Sequence, residues 1–311
     1  MNGLRLLGAG KAIPSRVLTN DDMTQFVETS DEWISSRTGI RQRYFCAENE
    51  NATTLAIEAA KNALADSGVA KEEIGCVIVA TSSGEYAMPS TACLVHKALE
   101  LSEGIPVFDL GAACAGFLYA VDTARSLLIA HGKKVALVIG TEQMSSVLDM
   151  QDRNTCVLFG DGAGAAVFAL EDEAEYEYVC GTRGDLAIQV GGPRKTLPMT
   201  MEGQAVFRFA VSTIPATVDQ LISKGGVTLE DVDWVVCHQA NQRILDSSIR
   251  RLGVPAEKFY KNLDHFANTS AASIPLAIAE MKENGLLHKD QRIIMVGFGG
   301  GLTWAGVMMK A

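Results

Sequence analysis

The sequence predicts an internally duplicated α/β protein, two mixed sheets covered by helices, on the strength of a repeat and of the texture of the repeated segments. The stretch "SGVAKEEIGCVIVATSS" from Ser67 lays over "GGVTLEDVDWVVCHQAN" from Gly225, with Gly68 on Gly226, Val69 on Val227, Glu72 on Glu230 and Val77 on Val235. At the same separation, about half the chain, "KKVALVIG" from Lys133 falls on "QRIIMVGF" from Gln291, and two matches at one spacing are the signature of a repeat. Chance likeness of two ordinary βα units is the alternative, and the shared spacing weighs against it. Each copy reads as a helix end, a short acidic turn and a strand rich in β-branched residues, apolar on both faces as in a sheet covered from both sides. Strands alternating with helical runs favour a mixed sheet.

No low-complexity linker divides the copies, and the acidic "LEDEAEYEYV" from Leu170 marks the crossover. The expected division is an N-terminal half, residues 1–170, and a C-terminal half, residues 171–311. Two such sheets lie side by side with their loops meeting at one cleft, so catalytic groups are expected from both copies.

A chain of 311 residues, 48% hydrophobic and 21% charged, can bury a large core. No continuous apolar run reaches the roughly 18 residues of a membrane span, and "MNGLRLLGAGKAIPS" lacks the apolar centre of a secretory signal. The expected location is the cytosol, with no membrane association. The seven cysteines (Cys46, Cys76, Cys93, Cys114, Cys156, Cys180 and Cys237) form no CxxC pair, so neither a disulfide framework nor a metal site is expected. A net charge of -10 argues against nucleic acid.

Along the first copy, "GIPVFDLGAACAGF" starts as a strand and passes into "CAGFLYAVDTARSLLIA", apolar almost all round and so a buried helix. Cys114 falls at its start, where unpaired amides and the helix dipole favour a thiolate and lower the thiol pKa. Ala112, Ala113, Ala115 and Gly116 leave room beside the sulfur. A nucleophile fits this setting, and so does an inert buried cysteine. In the second copy His238, in "WVVCHQANQR", ends a buried strand from which it can reach a cleft as acid, base or donor. Asn268, in "HFANTSAASIPLAIAE", precedes another apolar helix; it either orients or donates a hydrogen bond beside the histidine, or caps that helix. After the last strand, "GFGGGLTWAG" has no Lys-Ser/Thr for a phosphate loop, and its bare backbone suits close approach to a reacting atom.

Six motifs in order, "DEWISSRTGIRQR", "ACAGF", "FGDGAGAAV", "HQAN", "NTSAAS" and "GFGGGLTW", resemble β-ketoacyl-acyl-carrier-protein synthase III, the initiating condensing enzyme of type II fatty-acid synthesis. The resemblance implies a thiolase-like fold, five-layered α/β/α/β/α, as a homodimer. It also implies catalysis by Cys114, His238 and Asn268 without a metal or cofactor. Cys114 takes the acyl group of a short acyl-CoA primer; malonyl-acyl carrier protein then loses carbon dioxide under hydrogen bonds from His238 and Asn268, and its enolate attacks the acyl-cysteine. An oxyanion hole is implied at the backbone NH groups of Cys114 and Gly300. Trp33 and Arg37 hold the adenine of CoA with Arg153 opposite, Arg243 lies near the phosphates, and Gly203, Phe207, Ala240, Asn241 and Phe298 line the tunnel. Gln239, Ala240, Asn241, Gln242 and Arg243 face the carrier protein, for which Arg250, Arg251, Lys258 and Lys261 add a basic patch within an acidic chain.

Two positions depart from the family's pattern. Asn154, on the CoA side, stands where glycine is commoner, and Met88 stands where phenylalanine often reaches from the partner subunit into the acyl pocket. A thiolase would carry a second cysteine in "GFGGGLTW", and an elongating enzyme a second histidine at Asn268. A specialised relative that starts a polyketide or transfers an acyl group without condensation shares the triad and is the alternative. A non-catalytic homologue would have lost Cys114.

Overall fold

Residues 2–191 and 197–311 are described by the structure, a computed structural model. The chain begins with β1 (Asn2–Ala12), then β2 (Arg16–Thr19), α1 (Asp31–Thr38) and β3 (Gln42–Phe45), with β2 and β3 paired antiparallel. It continues through α2 (Ala52–Ser67), β4 (Ile74–Ala80), α3 (Thr91–Leu99), β5 (Val107–Leu110), α4 (Gly116–His131), β6 (Val135–Glu142) and β7 (Gly162–Asp172). Next come β8 (Tyr176–Asp185), the short pair β9 (Ile188–Gly191) and β10 (Leu197–Met201), and α5 (Gly203–Gly225). The last elements are β11 (Trp234–Cys237), α6 (Gln242–Leu252), α7 (Leu263–Phe266), α8 (Ser273–Glu283), β12 (Arg292–Gly299) and β13 (Gly301–Lys310).

The repeat read from the sequence is a repeat of topology. One sheet has the order β1-β7-β6-β4-β5 and the other β8-β13-β12-β11. In each, the two repeat strands are parallel, β4 to β6 and β11 to β12, and the next two strands along pair antiparallel. Helices α2 and α5 stop at matching positions, Ser67 and Gly225, each followed by a glycine in the left-handed region, Gly68 at φ 66° and Gly226 at φ 63°, a conformation that favours glycine at a helix end.

Strand alternation divides the side chains among layers. Val77, Val79, Leu137 and Ile139 pack on Leu55, Ala56 and Ala59 of α2, while Ile78, Ala136 and Val138, pointing the other way, pack on Phe117, Leu118 and Val121 of α4. On the second sheet Ile293 and Met295 face the same middle layer, where α8 contributes Ile274, Ala277 and Ile278. Ile294, Val296 and Phe298 face outward onto α5 and α6. The result is five layers, helices outside each sheet and α4 with α8 between them, as the thiolase-like expectation requires. The segment Ala113–His131 is long and apolar enough to cross a membrane by length and composition alone; here its apolar faces are filled by the two sheets.

The acidic stretch from Leu170 is mostly strand. Its first three residues finish β7, and β8 begins at Tyr176, so only residues 173–175 turn between the sheets.

Candidate active site

Cys114 sits in a tight turn, Ala113–Ala115, that links β5 to α4. Ala113 holds a left-handed φ of 47°, a conformation that costs an alanine energy and turns the chain sharply enough to present the next side chain. His238 follows the last residue of β11, its backbone NH continuing the sheet to Val296 O at 2.8 Å. Asn268 lies in a loop bridged to Phe159 and held by two backbone bonds, its own NH to Leu158 O and Gly160 NH to its carbonyl, each 3.0 Å. Two residues come from the second copy and one from the first, and all three line one cavity of about 570 Å³.

Electrostatics at the cavity floor differ from the sequence expectation in one respect. Burial pushes the Cys114 thiol up to about 12, the carboxyl of Glu142 adds to the rise, and a hydrogen bond with Ser270 works against it. This direction is opposite to the fall expected at a helix start, since taking a thiolate out of water beside a carboxylate is costly. His238, 1% exposed, is driven down to about 3 by burial and stays neutral. Its Nδ1 has no partner among the described residues, and its ring meets Phe298 edge-on at 5.2 Å between centroids. The Oδ1 of Asn268 accepts the backbone NH of Ser270 at 2.9 Å. That bond fixes the amide and, among the described residues, leaves the Nδ2 hydrogens as its free donors.

Behind the thiol is a pair that sequence reasoning did not single out. Cys114 Sγ donates to Ser270 Oγ at 3.4 Å, and Ser270 Oγ donates to Glu142 Oε1 at 3.0 Å. Glu142 carries a signal in hindsight, being an acid that ends the apolar run "VALVIGTE". Ser270 stands two residues beyond Asn268.

Close backbone approach to the thiol falls at Gly299. A Cβ at Gly299 would meet Cys114 N at 2.8 Å and Cβ at 2.9 Å, while one at Gly300 makes ordinary contacts at 3.5 Å and beyond. Bareness is therefore required at Gly299, although Gly300 also lines the cavity.

Of the residues expected around CoA, Asn154, Gly203, Phe207, Ala240, Asn241 and Phe298 line the cavity. Asn241 caps α6 by accepting Arg243 NH at 2.9 Å, and its Nδ2 donates to Arg37 O at 3.2 Å, tying α6 to α1. Trp33 lies between two guanidinium groups, Arg37 at 4.5 Å and Arg153 at 4.7 Å from the ring centre. Arg153 thus covers the indole itself and also donates to Glu28 O at 2.9 Å. An adenine stacked on Trp33 requires Arg153 to swing aside.

Gln239, Lys258 and Lys261 do not stand free to meet a protein partner. Gln239 is 1% exposed and its amide joins Cys237 O, Tyr260 O and Asn262 NH; it braces the loop and cannot face a protein partner. Met88 is 83% exposed and does not line the cavity of its own chain. Lys258 donates to the carbonyls of Leu229, Glu230 and Val232, and Lys261 pairs with Asp246 at 2.8 Å. Arg243, Arg250 and Arg251 remain as the exposed cations of α6.

Residues 108–184 match the 3-oxoacyl-[acyl-carrier-protein (ACP)] synthase III family, and residues 222–311 match the C-terminal part of 3-oxoacyl-[acyl-carrier-protein (ACP)] synthase III. The chain is 44% identical over 324 residues to a β-ketoacyl-[acyl-carrier-protein] synthase III of Clostridium acetobutylicum, across 100% of this chain and 99% of that one. It is 40% identical over 318 residues to the protein of that name in Coxiella burnetii, across 100% of both. The crystal structure of 3-oxoacyl-[acyl-carrier-protein] synthase III from Aquifex aeolicus superimposes with a TM-score of 0.94 at 39% identity, covering 99% of this chain and 100% of that one.

Proposed function

We propose a division of labour at this site from one premise: the chain belongs to the β-ketoacyl-[acyl-carrier-protein] synthase III family and is an acyltransferase that initiates fatty-acid synthesis. In this reading Cys114 attacks the thioester of a short acyl-CoA, acetyl or a small branched chain, and carries the acyl group after CoA leaves. Malonyl-acyl carrier protein then enters the acylated site. Its decarboxylation builds negative charge on the thioester oxygen, and the resulting enolate carbon attacks the acyl-cysteine to give the β-ketoacyl product.

The observation that carries this reading is the state of the two donors. A neutral His238, kept so by burial, and the unengaged Nδ2 of Asn268 open onto the same cavity as Cys114. Two buried, uncharged donors suit an oxyanion that exists only during the reaction. Decarboxylation itself supplies the carbanion, so the thioester substrates suffice without a cofactor. The backbone NH groups of Cys114 and Gly300 serve the second oxyanion, formed as the cysteine is acylated and deacylated.

We assign Trp33, Arg37 and Arg153 to the adenine end of CoA, and Arg243 with Arg250 and Arg251 to the acidic carrier protein, whose approach a local basic face steers despite the net charge of this chain. A homodimer is supported by β5, which ends its sheet, and by the exposed Met88 and Tyr86, with Met88 of the second copy closing the acyl pocket. We place the enzyme in the cytoplasm, with halves dividing near residue 170.

The test separates the two stages. His238→Ala and Asn268→Ala are expected to keep acylation of Cys114 by acetyl-CoA within a few-fold while condensation with malonyl-acyl carrier protein falls by about 10²-fold or more. Equal loss of both stages in either variant contradicts the assignment.

A further inference from the structure

The carboxyl of Glu142, the last residue of β6, is fully buried and surrounded by donors. Ser82 NH reaches both of its oxygens, at 3.2 and 3.0 Å, and Oε2 also accepts Thr81 Oγ1 at 3.3 Å and Ser83 Oγ at 2.5 Å. Oε1 accepts Ser270 Oγ at 3.0 Å. An acceptor surrounded this way fixes the direction of the chain: Ser270 must donate to Glu142 and so offers its lone pair to the Cys114 thiol. The thiol proton therefore points toward Glu142 and away from the substrate. His238, uncharged and weakly basic in its buried setting, is a poor competitor for that proton.

Resting on the assignment of Cys114 as nucleophile, we propose that Glu142, acting through Ser270, is a positioning residue that takes the thiol proton during acylation and returns it during condensation. As the bond from Cys114 Sγ to the acyl carbon forms and the bond from that carbon to the CoA sulfur breaks, the thiol proton passes to Ser270 Oγ and the Ser270 proton passes to Glu142 Oε1. The CoA thiolate takes its proton from solvent. When the enolate carbon bonds to the acyl carbon and the bond to Cys114 Sγ breaks, the thiolate takes a proton from Ser270, which recovers its own from Glu142. Carbon dioxide leaves from the malonyl group, and one solvent proton is consumed per turnover.

The charges around Glu142 leave it free for this task. No lysine or arginine hydrogen-bonds it among the described residues. Asp161, beside the start of β7, is held by Cys46 NH and by Ser145 NH and Oγ, and Asp109 on β5 by the amides of Thr91 and Ala92. On α4, Asp122 is engaged by Tyr176 and Arg125 by Asn2 O. On α8, Glu280 is engaged by His265 and Lys282 by Asp66, while Glu58 and Lys61 of α2 are exposed. Cys76 of β4 is a buried thiol. Cys114 is the titratable group coupled to Glu142 through hydrogen bonds. Burial raises the Glu142 pKa against the pull of its donors, which makes it a better proton acceptor than an exposed carboxylate.

The experiment is the rate of Cys114 alkylation by iodoacetamide, and of acylation by acetyl-CoA, from pH 7 to pH 10 in wild type, Glu142→Gln and Ser270→Ala. A proton moved within the pair leaves the reactive population independent of pH once Glu142 is ionised, whereas a thiol that must lose its proton to solvent gains about tenfold per pH unit. Because direct ionisation also grows as pH climbs toward the raised thiol pKa of about 12, wild type is expected to react about tenfold or more faster than both variants at pH 7, and the profiles to converge toward pH 10. Parallel profiles in wild type and either folded variant overturn the proposal, and Ser270→Ala decides it if Glu142→Gln does not fold. Failure of acetyl-CoA alone to modify the wild type counts against the primer assignment, while the iodoacetamide profiles still decide the role of Glu142.

Discussion

At Gly299 an added Cβ meets Cys114 N at 2.8 Å, Cβ at 2.9 Å and Sγ at 3.2 Å, so β12 and the thiol turn are packed with no side chain between them. Gly299→Ala must push that turn, and overpacking of this kind costs about 1–3 kcal/mol. The expected outcome is a lower Tm together with alkylation of Cys114 slowed by about tenfold or more, while Gly300→Ala leaves Tm unchanged; thermal melts and timed alkylation check both. Single residues also show where sequence reading stops. Cys114, His238 and Asn268 could be singled out because each ends or precedes a recognisable element. The resemblance set Gln239 against the carrier protein, and only the fold reveals that Cys237, Tyr260 and Asn262 absorb its amide. The pKa of Cys114 was misjudged since a dipole can be inferred from a helix start, whereas burial by the fold, and with it a carboxyl 28 positions away in sequence, cannot.

The loop carrying Asn268 is anchored by α7, where His265 Nδ1 meets Asp264 Oδ1 and Nε2 meets Glu280 Oε1, both at 2.9 Å. The hydrogen bond to Asp264, then that to Glu280, raise His265 from its ordinary 6.5 to about 9 against the effect of burial. A raised histidine contributes its full stability below the unfolded value and loses it as pH climbs through the folded one. Tm is therefore expected to be highest near pH 5–6.5 and to fall as pH passes through about 9. His265→Gln should flatten that alkaline decline; an unchanged profile in the variant contradicts the clamp. Among the elements, β4, β6, β11 and β12 were the most legible, since strands covered on both faces are continuous apolar runs. The short pair β9–β10 and the partly exposed β8 carry no such run, which is why the acidic stretch after Leu170 read as a connection.

Across the whole molecule, duplication is what builds the site. Two equivalent sheets share the layer of α4 and α8, and the turn before α4 meets the end of β11 and the loop before α8 at one cavity. That arrangement brings Cys114 from one copy to His238 and Asn268 from the other. The central claim is that this thiol carries the acyl group, and one measurement reaches it directly: intact mass of the purified protein after incubation with acetyl-, isobutyryl-, butyryl- and octanoyl-CoA separately, with fragmentation to locate any adduct. The expected result is a single acyl addition on Cys114 from the short primers, absent in Cys114→Ala. Folded wild-type protein that takes no acyl group from any of the four, or takes it on another residue, contradicts the account.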